Sequence, residues 1–214
     1  MREGGAFDDH GHDEHDEHDE HDEHDENDEH DEHDEHDEHD ERGHGEFDVH
    51  VWLDPENAKV LVNEIKHSLI ELDPSNAAQY KFNSDELMIR LDQLIDDVSV
   101  KLAPEKEKGF VVFHDAYQYF EMDFDFPASG AISIGDASDP SPARIAEIQD
   151  RIAEQGIDCV LAEPQFNPGL VATVLEGSDA QTGILDPLGS DLEPGSALYP
   201  QLIRNLSTAL AGCM

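Results

Sequence analysis

The chain has 214 residues, 53 Asp and Glu against 12 Lys and Arg, and a formal net charge of −41. That balance excludes nucleic acid and an anionic membrane as natural partners, because both need a basic face, and it points to cations. The length allows one or two modest domains with a sizeable core, and no apolar run approaches the roughly 20 residues needed to insert across a membrane.

The charge is unevenly placed. Residues 1–46 hold 24 acids, 2 Arg and 11 of the 14 His, a net of −22, while the rest of the chain carries −19. The opening residues, MREGGAFDD, contain no apolar h-region, so the chain as written predicts no signal peptide. From His12 to Glu41 the sequence is ten consecutive HDE units, with Asn27 in place of His in the sixth. No apolar residue interrupts the tract, and like charges at i,i+3 and i,i+4 oppose a helix, so residues 1–46 are expected to be disordered when free of ligand. Imidazoles interleaved with carboxylates form overlapping transition-metal sites, which makes His12, His15, His18, His21, His24, His30, His33, His36 and His39 a weak, multiple metal-binding set.

A globular pattern begins at Phe47. The segment F47-D-V-H-V-W52 alternates briefly and meets Asp54-Pro55, an N-cap with Pro at the first helical position. Leu61, Ile65, Leu69 and Leu72 then recur at helical spacing, and Asp73-Pro74 repeats the start signal. The next helix carries Leu87, Leu91, Leu94, Val98 and Leu102 on one face and stops at Pro104. Continuous from Ser75 to Ala103 it is about 43 Å long, more than a small domain's width, so it is expected to run along or between two lobes. After Gly109 strands alternate with helices. The predicted strands are Phe110–His114, Ala131–Gly135, Ile157–Ala162 and Thr182–Asp186. The predicted helices are Ala116–Glu121, Pro142–Gln155 (Ser141 cap, Gly156 stop), Pro168–Glu176 and Pro200–Ala211. This alternation implies an α/β fold, a small parallel sheet covered by helices on both faces.

In such sheets ligands bind beyond the carboxyl ends of the strands. Three predicted strands end in a potential ligand, His114, Glu163 or Asp186, and the fourth ends near Asp136. Imidazole with carboxylate suits Zn²⁺, and His50, ahead of Trp52 and the N-cap, is an exposed-loop candidate for a further ligand, whereas His67 beside the apolar helix face reads as surface. Cys159 and Cys213, 54 residues apart, form no CxxC motif and fit either one disulfide or two buried thiols. No GxSxG, HExxH, P-loop or GxGxxG is present, and nothing singles out Asp115 or Glu163 as a general base, so a metal-dependent hydrolase is a weak reading.

Four motifs in order carry a family likeness: H50-V-W-L-D-P-E-N-A58, F113-H-D-A-Y-Q-Y-F-E121, A162-E-P-Q-F166 and L185-D-P-L-G189. From about Phe47 onward the chain resembles the cluster A-I (cluster 9) solute-binding proteins, specifically those serving bacterial high-affinity zinc ABC importers. The resemblance implies two α/β lobes joined by a long rigid helix, with zinc in the cleft between them. It implies a disordered metal-binding tract (1–46), a remnant of the N-terminal lobe (47–78), a linking helix (79–104) and a C-terminal α/β lobe (105–214). His50, His114 and Asp186 match metal ligands, and His114 favours zinc because manganese-binding relatives carry Glu there. Glu163 lies near the cleft without being a standard ligand, and Cys159 with Cys213 matches a pair that is disulfide-bonded in some zinc members. The tract falls where zinc members carry a charged loop beside the cleft. The implied function is capture of periplasmic zinc by a monomer and its delivery to a cognate inner-membrane ABC permease, with no enzyme activity. A metal buffer acting mainly through the HDE tract is the alternative. Family members also carry a signal peptide and a fuller N-terminal lobe with a first His ligand; the expectation is therefore a fragment or a truncated gene product with at most three of four ligands.

Overall fold

The computed structural model describes residues 47–133 and 139–214; the tract histidines and the strand end at Gly135 and Asp136 lie outside the described residues. A short 3-10 turn, Val51–Leu53, leads into helix α1, Pro55–Leu72. The Asp54 carboxylate accepts the backbone N–H groups of Glu56 and Asn57 at 2.7 and 3.1 Å, which satisfies two of the donors a helix start leaves open. The second Asp-Pro does something else. Pro74–Asn76 forms a 3-10 turn, and Asp73 accepts from the side chains of Ser75, Asn76 and Tyr80 at 2.5, 2.6 and 2.9 Å instead of capping the backbone. Helix α2 therefore starts at Ala77 and ends at Leu102, 26 residues or about 39 Å long.

Leu91, Leu94, Val98 and Leu102 on α2 are buried, as their spacing predicts. The apolar set on α1 is not covered in the same way. Leu61, Ile65, Leu69 and Leu72 remain exposed, Leu72 to 82 %, and α1 meets α2 along a shallow groove lined by Val62, Ile65, Leu69 and Leu87. Periodicity reports that a helix face is apolar; it carries no information about what covers it.

The remainder alternates: β1 (Phe110–His114), α3 (Gln118–Asp123), β2 (Gly130–Ser133), α4 (Pro142–Gln155), β3 (Cys159–Ala162), α5 (Pro168–Val174), β4 (Gln181–Ile184) and α6 (Leu198–Cys213). α3 begins two residues later than predicted because the Ala116 N–H donates to the His114 carbonyl in a tight turn at 2.9 Å. α4 has the predicted limits: the Ser141 hydroxyl accepts the Arg144 N–H at 3.2 Å, and Gly156 ends it at φ +64°, a left-handed conformation that favours glycine.

All strands are parallel, in the order β2-β1-β3-β4. Alternate residues of β1 feed two cores. Phe110 and Val112 pack with Leu91, Leu94, Val98, Ile203 and Leu206 on one face, while Val111 and Phe113 pack with Ile148, Ile152 and Val171 on the other. Cys159 on β3 and Cys213 at the end of α6 form a disulfide that ties the central sheet to the last helix.

One buried acid sits awkwardly in this scaffold. Burial pushes the Glu121 carboxyl up to about 7, and the charges of Asp115 and Asp48 push the same way, against a hydrogen bond from the Ala128 N–H.

Two measurements follow from these contacts. Cys159→Ser, or reduction of the disulfide, is expected to lower the unfolding free energy by about 4 kcal/mol, the loop-entropy value for a closure of this length, seen as a fall in the urea midpoint. Because its folded value is raised, ionised Glu121 opposes folding above neutrality, and that cost fades as pH falls towards the unfolded carboxyl range. Glu121→Gln is thus expected to stabilise the chain by about 3 kcal/mol at pH 8 and hardly at all near pH 4, measured by urea titration at the two pH values.

Candidate metal centre

The parallel sheet presents the carboxyl ends of its strands on one edge, and the chemistry gathers there. His114 is the last residue of β1, and Glu163 follows the end of the neighbouring β3. The two strands run side by side, so the side chains at their ends meet. Glu163 Oε1 lies 2.6 Å from His114 Nδ1 and accepts the His114 backbone N–H at 3.3 Å. The other oxygen, Oε2, accepts the Gln165 side-chain amide at 2.6 Å. The Glu163 side chain has no solvent exposure and that of His114 only 3 %. A carboxylate that already accepts a backbone amide and a side-chain amide is an acceptor towards the ring too, which puts the imidazole proton on Nδ1 and the lone pair on Nε2.

His50, expected in an exposed loop, is buried instead and repeats this arrangement on a different segment. It precedes the 3-10 turn, and Asp48 Oδ1 accepts its backbone N–H at 2.8 Å and its ring Nδ1–H at 2.7 Å. Burial works against the charge on Asp48, but the bonds from His50 outweigh it and hold the carboxyl below its usual range. The alternating F47-D-V-H50 pattern puts residues i and i+2 on one side, which is the signal that identifies Asp48 as the partner; reading the strand ends alone misses it.

The two imidazoles face each other, ring centroids 5.4 Å apart in an edge-on arrangement. They line a pocket of about 360 Å³ together with Trp52, Gln165, Phe166 and Leu188. Phe166 packs edge-on to His114 at 5.4 Å, and Trp52 is tilted over His50 at 5.3 Å. The Trp52 indole N–H donates to the Pro187 carbonyl at 2.9 Å, tying the His50 segment to the loop after β4.

Asp186 stands in that loop with both carboxylate oxygens engaged in its own turn. Oδ1 accepts the Leu188 and Gly189 N–H groups, both at 2.9 Å, and Oδ2 accepts the Ser190 N–H at 2.6 Å and the Ser190 hydroxyl at 2.7 Å. Burial raises its pKa, yet these donors win and hold the carboxyl below the ordinary value. The structure thus brings His50 and His114 together and leaves Asp186 at the edge. Among the described residues no three His, Cys, Asp or Glu side chains are gathered closely enough to hold an ion. His67 is exposed on α1. Tyr117, which the strand-end reading also misses, is buried beside Glu163: burial pushes its phenol well up, and the neighbouring Glu163 charge and hydrogen bond add to the shift.

Residues 3–213 match the family model described as ZnuA, zinc-uptake complex component A, periplasmic. The high-affinity zinc uptake system protein ZnuA of Brucella abortus (strain 2308) is 50 % identical over 170 residues, which is 79 % of this chain and 51 % of that protein. Its counterpart from Yersinia pestis is 34 % identical over 171 residues, 80 % of this chain and 54 % of that one. The chain spans about half the length of the curated relatives it matches. Among solved structures, a crystal structure of ZnuA superposes with a TM-score of 0.68 at 26 % identity, covering 78 % of this chain and 60 % of the other. A ZnuA deletion mutant with zinc bound gives 0.65 at 26 % identity, with the same coverage of both chains. A mutant of the laminin-binding adhesin Lmb from Streptococcus agalactiae gives 0.69 at 26 %, covering 78 % and 63 %. The disulfide and the α/β sheet accord with the expectations of the sequence, and the family is one of solute-binding uptake components, not of enzymes. The chain belongs to the ZnuA family.

Proposed function

We propose that this chain captures zinc in the pocket between His50 and His114, as the periplasmic binding component of a zinc ABC uptake system, and passes it to the membrane permease. The observation that carries the reading is the pair of imidazoles in one pocket, each with Nδ1 bonded to a buried carboxylate. A ring so held offers Nε2 to a cation in a fixed orientation, and its carboxylate partner makes it a stronger donor. Zn²⁺ accepts imidazole nitrogen and carboxylate oxygen together, and two neutral rings with an ionised Asp form such a set. Asp186, kept ionised by the donors of its turn, supplies the carboxylate. Because its oxygens are engaged by Leu188, Gly189 and Ser190, ligation by all three residues requires the 186–190 turn to shift towards the rings. The names of the relatives support zinc as the cargo and uptake as the process. The HDE tract acts as an accessory, weak and multiple zinc binder that raises the local concentration of the ion; its His and carboxylate content is the support.

His50→Ala and His114→Ala are each expected to weaken the tightest zinc site by about 100-fold or more, since losing a ligand costs more than losing its outer partner. Competition against a chelating dye measures this, and unchanged affinity in both variants would reject the site. A proton on Nε2 competes with zinc for the same lone pair, so affinity is expected to fall as the solution is acidified, read by the same dye competition. Removing residues 8–44 is expected to abolish the weak zinc equivalents and leave the tight one, as read by titration calorimetry. Disappearance of the tight site with the tract would move the cargo site out of the pocket.

A further inference from the structure

The carboxylate behind His114 is itself held from two sides. Glu163 has no solvent exposure, so each of its acceptor positions must be filled from within the protein, and the donors that fill them decide where the carboxylate plane lies. On Oε1 the partners are both from His114, its backbone N–H and its Nδ1–H. On Oε2 the Gln165 amide donates at 2.6 Å. The buried Tyr117 hydroxyl has two acceptors within reach, Glu163, whose charge and hydrogen bonding push the phenol up, and the carbonyl of Leu185, the residue before Asp186, to which it donates at 3.5 Å. Gln165 is exposed and lines the same pocket as the two rings, while Tyr117 reaches Glu163 from the turn just after β1. Neither residue is a metal donor by type in this setting: an amide and a neutral phenol are poor competitors for zinc beside imidazole and carboxylate.

We propose that Gln165 and Tyr117 are positioning residues that fix His114 in its zinc-ready form by anchoring Glu163. Both hold the carboxylate so that its remaining lone pairs point at His114 Nδ1–H, which keeps the ring in one tautomer and one orientation before any ion arrives. The arrangement adds an outer layer to the ligand, with Gln165 and Tyr117 bonded to Glu163 and Glu163 to the imidazole. This inference rests on the reading of His114 as a zinc ligand, but the state of the ring in the zinc-free protein can be observed without it.

The test uses the full chain and Zn²⁺ alone, with four variants: Gln165→Met, which keeps the length of the side chain and removes the donor; Tyr117→Phe, which removes only the hydroxyl; the double change; and His114→Ala. Zinc affinity is measured by dye competition, and the His114 ring is followed by nitrogen-15 NMR in the zinc-free protein. Each single change is expected to weaken zinc binding about tenfold, the lower end of the range for outer partners of a ligand, and the double change more. In parallel the His114 ring signals are expected to move from a single Nδ1–H form towards a mixture of tautomers. Unaltered ring signals and unaltered affinity in the double variant would overturn the proposal. If His114→Ala retains tight zinc binding, the ligand assignment falls instead, and the tautomer spectra still decide whether Gln165 and Tyr117 govern the ring. A change that merely loosened the fold would lower the melting temperature without redistributing the His114 tautomers, so circular dichroism on the same samples separates the two causes.

Discussion

A carboxylate with no contact with water organises the functional edge of this molecule. Glu163 would be costly to bury alone, because an ionised group loses several kcal/mol of hydration unless donors replace it. Its donors come from separate places: His114 at the end of β1, Gln165 just beyond Glu163 itself in the loop after β3, and Tyr117 in the turn that leads to α3. His114 and Tyr117 can reach Glu163 only if β1 and β3 are adjacent, parallel and in the observed register, with Phe110 opposite Cys159. The sheet pairing and the site chemistry are thus one constraint seen from two sides. Slipping that register by one residue would turn His114 to the other face and strand the acid.

Much of the scaffold was legible in the sequence because it depends on local signals. Phe110–His114 reads as a strand from a short apolar run, and α4 reads from a Ser cap, a Pro and a terminal Gly, and all of these appear with the expected limits. Boundaries drifted where a side chain or a turn competed with the simple rule. Asp73 spends its oxygens on Ser75, Asn76 and Tyr80 and so leaves α2 to begin at Ala77, and the tight turn at Ala116 delays α3. The exposed apolar face of α1 shows the opposite limit, a clear periodic pattern whose covering surface no local rule can supply.

The site was legible by type and only partly by arrangement. Strand-end position singled out His114, Glu163 and Asp186, and the place ahead of Trp52 and the Asp54 cap singled out His50. What remained hidden were contacts between residues far apart in the chain: Glu163 reaching back 49 residues to His114, and the turn at 186–190 holding its own Asp. An acid at a strand end has the same one-letter signature whether it points at an ion, at a ring nitrogen or at backbone amides. Only the packed structure separates these roles, and it assigns Glu163 to the second and Asp186, as it stands here, to the third.

Trp52 gives the pocket an optical property. It is the single tryptophan of the chain, it lies tilted against His50, and its indole N–H is tied to the loop that carries Asp186. Indole emission responds to the polarity and hydrogen bonding of its surroundings, and every photon from this fluorophore originates at the pocket wall. Movement of the 186–190 turn relative to His50 therefore alters the one hydrogen bond that the indole makes with that loop. The molecule carries a built-in reporter on the wall of its own site, with no second tryptophan to dilute the signal and no label to disturb it.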